Sequence, residues 1–234
     1  AVARDGGGFR VTLGSGHVVR ARRILVASGL VDELPDLPGV RDRWGRDVLH
    51  CPYCHGWEVR DQAIGVLSTG PMAVHQALLF RGLSDDVTFF SHTGSLDEEQ
   101  AEQLAATGIR VVSGAAAALE VRDDRLAGVR LVDGRLVAVA ALAVQTRMVA
   151  RAAFLAPLGL LPVAHPSGMG EYLPATDATG RTDVAGVWVA GNVTDMSAQV
   201  GVAAAAGAFA GAQINADIVA EDTRTAVEAA RTPA

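Results

Sequence analysis

The chain has 234 residues, half of them hydrophobic, enough for one or two domains with a real core. Net charge is −6, aromatics are few, and every basic residue is Arg with no basic block, which argues against a nucleic-acid partner. The N-terminus AVARDGGGFR has no apolar signal region, and the longest apolar run, Val200 to Ala212, falls short of the ~20 residues that span a bilayer. No membrane partner and a cytoplasmic setting are therefore expected.

In chain order, FRVTLGSGHVVRARRILVASG (Phe9 to Gly29) reads as an alternating strand, a Gly14-Ser15-Gly16 turn, a second strand and a more continuous apolar strand. HCPYCHG follows and holds both cysteines, Cys51 and Cys54. AIGVLSTGPMAVHQALLF predicts a buried strand from Ala63 to Leu67, a tight turn, and a helix with Met72, Ala73, Ala77 and Phe80 on its apolar face. DDVTFFSH is a second strand. SLDEEQAEQLAATG predicts a helix capped by Ser95, with Glu98 at capping-box spacing and Gly108 as terminator. IRVVSG is a third strand. GVRLVDGRLVAVAALAVQTR (Gly128 to Arg147) then repeats the grammar of the first meander around an Asp133-Gly134 turn. Beyond Leu155 the chain is turn-rich, with four prolines from Pro157 to Pro174. TDVAGVWVAGNVTD gives a strand from Val187 to Ala190 that ends in Gly191. The Ala-rich run predicts a buried, closely packed helix to about Ala220, followed by a frayed tail.

Strand–turn–helix–strand–helix–strand is half of a doubly wound dinucleotide-binding fold, and the second meander completes that unit. The first meander closes a unit that this chain does not contain. The chain is thus expected to start inside a domain, with a strand, a GxGxxG turn and a helix upstream in the gene product.

Three kinds of reading compete for Cys51-Pro52-Tyr53-Cys54. The cysteines could be ordinary buried thiols. They could join His50 and His55 around zinc, but four ligands within six residues is crowded for a structural site, and no second CxxC or HxxxH exists. They could be a redox pair, the common use of CxxC in a chain without a secretion signal. CPYC also resembles the glutaredoxin active site. There the second cysteine lies inside a helix, whereas Gly56 here costs ~1 kcal/mol against Ala in a helix interior.

Taken together, the motifs resemble those of the thioredoxin-reductase-like flavoproteins of the pyridine nucleotide–disulfide oxidoreductase superfamily. ILVASG (Ile24 to Gly29) resembles the strand that ends the first FAD segment. CPYCHG falls at that family's CxxC. VLSTGPMA (Val66 to Ala73) resembles the nicotinamide-binding turn, and TDVAGVWVAGNVTD (Thr182 to Asp195) the loop beside the flavin ribityl chain and pyrophosphate. The Cys-x-x-Cys-His-Gly form resembles the dithiol-oxidase branch that closes disulfides in small natural products. The resemblance implies an α/β fold of two dinucleotide-binding (Rossmann-like) domains with three-layer ββα architecture, the first lacking its N-terminal βαβ unit. It assigns residues 1–35 to the FAD domain, 36–150 to an NAD(P)-binding-like domain carrying CxxC, and 151–234 to the FAD domain again.

The resemblance also implies roles. Cys51 is the exchange thiol, Cys54 faces the flavin, and His55 is the acid/base. Ala27, Ser28, Gly29, Gly191, Asn192, Gln199 and Val200 contact FAD, and the helix starting near Gln199 aims its amides at the flavin pyrimidine. Tyr53 and Trp57 line the sulfur pocket or simply pack. No metal is expected. Partners are a small dithiol or disulfide, or a thioredoxin-like protein, in a homodimer.

Departures from the family pattern bear on the cofactors. Without GxGxxG the pyrophosphate lacks its helix N-terminus, so this stretch alone should bind FAD poorly and be inactive. The GxGxxA turn reads Ser68-Thr69-Gly70-Pro71-Met72-Ala73: the first Gly is Ser68, and Pro71 removes an amide donor. Ser91-His92-Thr93 stands where reductases place arginines for the NADPH 2′-phosphate, and a neutral His92 replaces them poorly. Asn192 stands where an Asp is usual. The expected activity is oxidation of a dithiol by FAD and a non-nicotinamide acceptor. The alternatives are an NADPH-dependent thioredoxin reductase and a non-catalytic remnant or binding module.

Overall fold

Three four-residue strands have every residue buried: Ile64–Leu67, Val87–Phe90 and Ala141–Val144. Continuous burial of this kind is what a parallel sheet covered on both faces demands. In the computed structural model, which describes residues 1–231, they lie in a five-stranded parallel sheet. Its order is Val48–Leu49, Ala141–Val144, Ile64–Leu67, Val87–Phe90, Arg110–Val112. The two-residue period of a strand splits these side chains between two cores. Ile64, Val66, Phe89, Ala141 and Ala143 join Ala77, Phe80 and Leu104 of the helices. Leu67, Phe90, Leu142 and Val144 join Leu126, Val129 and Leu131 of an antiparallel meander. The meander comprises Ala116–Arg122, Arg125–Leu131 and Leu136–Val137. Helices, parallel sheet and meander form the three layers of the expected α/β, ββα architecture.

These elements make up one compact unit, Glu33–Arg147. The other comprises Ala1–Asp32 with the chain from Met148 onward. It carries a meander of its own, Val2–Asp5, Gly8–Thr12 and Val18–Ala21, and a parallel pair, Ile24–Val26 with Val187–Val189. Val2, Phe9, Val26, Leu155, Leu173, Val187 and Val189 share its core. The two meanders turn in the same way. Leu13 N–H donates to the His17 carbonyl and Leu131 N–H to the Arg135 carbonyl, each at 2.8 Å, with Gly16 and Gly134 at positive φ.

Four local expectations need correction. Helix Glu98–Ala106 is capped by Asp97, not Ser95, and its capping box is closed by Gln100, not Glu98. That choice puts Leu96 directly before the cap, where it packs on the helix-side core. Met72 is the N-cap of Ala73–Arg81 and is largely exposed, so it does not belong to the apolar face with Ala73, Ala77 and Phe80. Strands Val2–Asp5 and Ala116–Arg122 precede the two predicted hairpins and were not expected.

The last correction concerns the Ala-rich helix, which runs the whole way from Val200 to Arg231 and buries only Ala210. Alanine and glycine offer little apolar area, so what ties this helix down is ionic. Arg23 donates to Asp217 at 2.6 Å and to Glu221 at 3.0 Å; Arg22 reaches Glu221 and Asp222, and Arg181 reaches Asp217. By length and composition alone the helix is also long and apolar enough to cross a membrane. Residues 224–231 of the expected frayed tail are helical; 232–234 lie outside the described residues.

Candidate functional site

The cysteine motif sits just beyond strand Val48–Leu49, at the carboxyl edge of the parallel sheet. Cys51 and Cys54 are joined in a disulfide, with Cα atoms 5.3 Å apart. Cys51 is the N-cap of a one-turn helix, Pro52–His55, with Pro at the first helical position where no amide is needed. Its Sγ accepts the Cys54 amide at 3.2 Å. A sulfur held at a helix start by an N–H is the one whose thiolate is stabilised on reduction. Gly56 follows the turn at a place where a Cβ would press into Leu83 beside Phe80. The chain then enters the short 3-10 turn Gly56–Val59.

His55 lies exposed at the end of this turn, and its ring makes no hydrogen bond among the described residues. His50, which precedes Cys51, is more defined. Its Nδ1 is 3.1 Å from the Val144 carbonyl, which can only accept, so Nδ1 carries a proton, and Nε2 makes no hydrogen bond among the described residues. Sequence reasoning placed His50 only in the zinc alternative; the feature it missed is this long-range bond, which orients the ring. Tyr53 and Trp57 are 75% and 67% exposed. One face of the Trp57 ring is covered by the Arg60 guanidinium at 4.1 Å. Among the described residues no group of three His, Cys, Asp or Glu is placed to hold a metal.

A second feature lies at the turn after Ile64–Leu67. Ser68, Thr69, Gly70 and Pro71 line a cleft of 320 Å³ with Thr93, Gly94, Ser95, Leu96 and Gln100. No cation lines it, and Glu98 and Glu99 begin the adjoining helix. Gln145 lies with its carboxamide oxygen against Gly70, over the backbone that a phosphate would approach. Thr69 ties the same turn down, exchanging hydrogen bonds with Gln145 N–H and carbonyl at 3.2 Å each. His92 accepts the Ala116 amide through Nδ1 at 3.0 Å, and burial holds its pKa below the ordinary value. Its ring is therefore neutral and already engaged.

The residues expected to contact flavin lie in the other unit. Strands Ile24–Val26 and Val187–Val189 run parallel, and Ala190 N–H donates to the Val26 carbonyl at 3.0 Å. Ala27, Ser28 and Gly29 thus leave one strand beside Gly191 and Asn192 leaving the other, the crevice where open α/β sheets bind ligands. Gln199 and Val200 start the long helix, and Asn192 Nδ2 brings that start close by donating to the carbonyls of Ala198 at 2.9 Å and Asp195 at 3.1 Å. An ionised Asp could make neither bond. Its Oδ1 makes no hydrogen bond among the described residues and suits a ribityl hydroxyl. The Ser28 hydroxyl is spent on the Arg151 carbonyl at 2.6 Å.

This arrangement, a parallel-sheet unit with an edge disulfide and a second unit with a glycine-rich strand-end crevice, defines a thiol–disulfide oxidoreductase fold. The family described as pyridine nucleotide-disulphide oxidoreductase matches residues 2–210, and the chain belongs to it as a thioredoxin-reductase-like member. Thioredoxin reductase tcpT of Claviceps purpurea is 29% identical over 232 residues, which cover 93% of this chain and 68% of that protein. Thioredoxin reductase aclD of Aspergillus oryzae is 38% identical over 106 residues, 43% of this chain but only 33% of that protein. The crystal structure of HlmI superposes with a TM-score of 0.86 at 45% identity, covering 98% of this chain and 71% of that one. The family implies flavin and pyridine nucleotide. The crevice residues fit flavin at Asn192; the uncharged cleft at Gly70 does not fit a 2′-phosphate.

Proposed function

We propose that the chain belongs to a flavin-dependent enzyme that oxidises a dithiol to a disulfide and passes the electrons to an acceptor other than a nicotinamide. The observation that carries this reading is His92: its Nδ1 is committed to Ala116, and the cleft beside it offers no cation for NADPH. A charge-assisted phosphate contact contributes about 1.5–3 kcal/mol, so the lack of two weakens NADPH roughly 10²-fold or more.

In the proposed reaction a substrate thiolate attacks Cys51 Sγ and Cys54 Sγ leaves as a thiolate. The second substrate thiol then attacks the substrate sulfur of the mixed disulfide and displaces Cys51, releasing the substrate disulfide. Two electrons now reside on the Cys51–Cys54 dithiol. His50, with its free Nε2, and exposed His55 are the proton carriers for the two substrate thiols. The Cys54 amide holds negative charge on Cys51 as it leaves. Asn192, Gly191 and the Gln199–Val200 helix start would hold a flavin, which would supply two-electron acceptor chemistry for the dithiol. The substrate is a small dithiol, with a thioredoxin-like protein as the other candidate, and a cytoplasmic homodimer as the working assembly.

A thioredoxin reductase is the second reading, supported by the names of the Claviceps and Aspergillus relatives and by Gly70 and Ala73 in the turn. Anaerobic stopped flow separates the two. Flavin-loaded protein should be bleached by a dithiol such as dithiothreitol and left oxidised by NADPH and NADH. Rapid bleaching by NADPH at micromolar concentration overturns the oxidase reading.

A further inference from the structure

Helix Ala73–Arg81 buries one polar side chain, Gln76, at 5% exposure. Its Nε2 donates to the His50 carbonyl at 2.7 Å and more weakly to the Val144 carbonyl at 3.4 Å. The Val144 carbonyl is the same one that receives His50 Nδ1–H. Both amide protons of Gln76 are thus spent on the residue before Cys51 and on the group that orients its ring. A flipped carboxamide would set oxygen against two carbonyl oxygens, so the hydrogen bonds decide its orientation. The remaining atom, Oε1, is buried with no hydrogen-bond partner among the described residues. An unpaired buried acceptor costs about 1–3 kcal/mol. A Leu or Met of similar size would fill the space without that cost, so packing alone does not account for Gln76.

We infer that Gln76 is a positioning residue of the dithiol site: it holds the His50 peptide so that the ring keeps Nδ1–H on Val144 and leaves Nε2 as the base for the thiol pair. The inference rests on reading Cys51 and Cys54 as the exchanging pair. The other titratable side chains on the elements packed here are Tyr53, Cys54 and His55 on the turn itself, Glu58 in the 3-10 turn, and, on the helix, Arg81 and exposed His75.

The test compares the reduced chain with Gln76→Leu and Gln76→Met variants, each checked for folding by circular dichroism. One readout is the imidazole tautomer of His50 by nitrogen-resolved NMR. The other is the rate of Cys51 alkylation by iodoacetamide at neutral pH, followed by mass spectrometry. Wild type should show His50 as the Nδ1–H tautomer. Both variants should mix the tautomers and alkylate Cys51 about five- to tenfold more slowly, the weight of one lost hydrogen bond. Wild-type His50 found as the Nε2–H tautomer overturns the inference outright. So does an unchanged tautomer or alkylation rate in either folded variant. Met, unbranched and closest in volume, carries the test if Leu does not fold. Neither readout depends on the electron acceptor, so failure of the oxidase reading leaves this result standing.

Discussion

His92 offers a direct measurement of the argument against NADPH. It sits at a φ of 48° and accepts the amide of Ala116, a residue 7% exposed. Replacing it with Ala leaves that buried N–H unpaired, which costs about 1–3 kcal/mol. Glycine is at ease at positive φ, so His92→Gly should be less destabilised than His92→Ala by about 1 kcal/mol. Only the neutral imidazole can accept this bond, and burial lowers the His92 pKa from its ordinary value of 6.5. On acidification the unfolded chain therefore binds the proton first. The His92 contribution is fully present above the unfolded value and is lost as pH falls through the folded one. Urea unfolding of wild type and both variants at about pH 8 and about pH 5 provides the assay. The gap between wild type and His92→Ala should be largest at the higher pH and shrink at the lower. A gap that stays constant, or one below about 0.5 kcal/mol throughout, refutes the neutral, engaged histidine.

Two further perturbations test other contacts. Burial alone would raise the pKa of Asp47, but Arg43 and the Leu126 amide outweigh it and hold the carboxylate below its ordinary value. Arg43→Met should thus cost about 3–5 kcal/mol in urea unfolding, with Arg43→Met/Asp47→Asn costing clearly less than the sum of Arg43→Met and Asp47→Asn measured singly; a double variant equal to that sum would show that the pair is not coupled. Asn192→Asp sets a carboxylate against the Asp195 and Ala198 carbonyls. It should cost about 1–3 kcal/mol at neutral pH and less in acid, where the protonated carboxyl can donate once; a neutral effect would remove Asn192 as the clamp of that loop.

The parallel sheet was legible in part: IGVL and VTFF are short apolar runs set between turns and helical patterns, whereas ALAV read as the end of a meander and Val48–Leu49 gave no strand signal. Caps were harder. Ser95-x-x-Glu98 and Asp97-x-x-Gln100 satisfy one rule two residues apart, and the packing of Leu96 decides between them. Strand Ala116–Arg122 starts with a run of alanines that carries little β signal, and Val2–Asp5 is short. In the helix from Val200, alanines and glycines show an apolar composition but not which face has a partner. The cysteine motif announced itself, yet the tautomer of His50 depends on Val144, 94 residues away. Gln76, within an ordinary helical pattern, gave no local sign at all.

The ionic attachment of the long helix makes it behave like a beam clamped near its middle. Arg22, Arg23 and Arg181 grip Asp217, Glu221 and Asp222, while Val200, Val202 and Phe209 on one side and the turns after Asp222 on the other lie exposed. A clamp made of charge at partly exposed sites weakens as salt shortens the Debye length to about 3 Å at 1 M. Amide exchange along this helix should then be slowest around 217–221, fastest toward both ends, and more sensitive to ionic strength than exchange in the parallel sheet. The beam would loosen under salt while the apolar cores stayed closed.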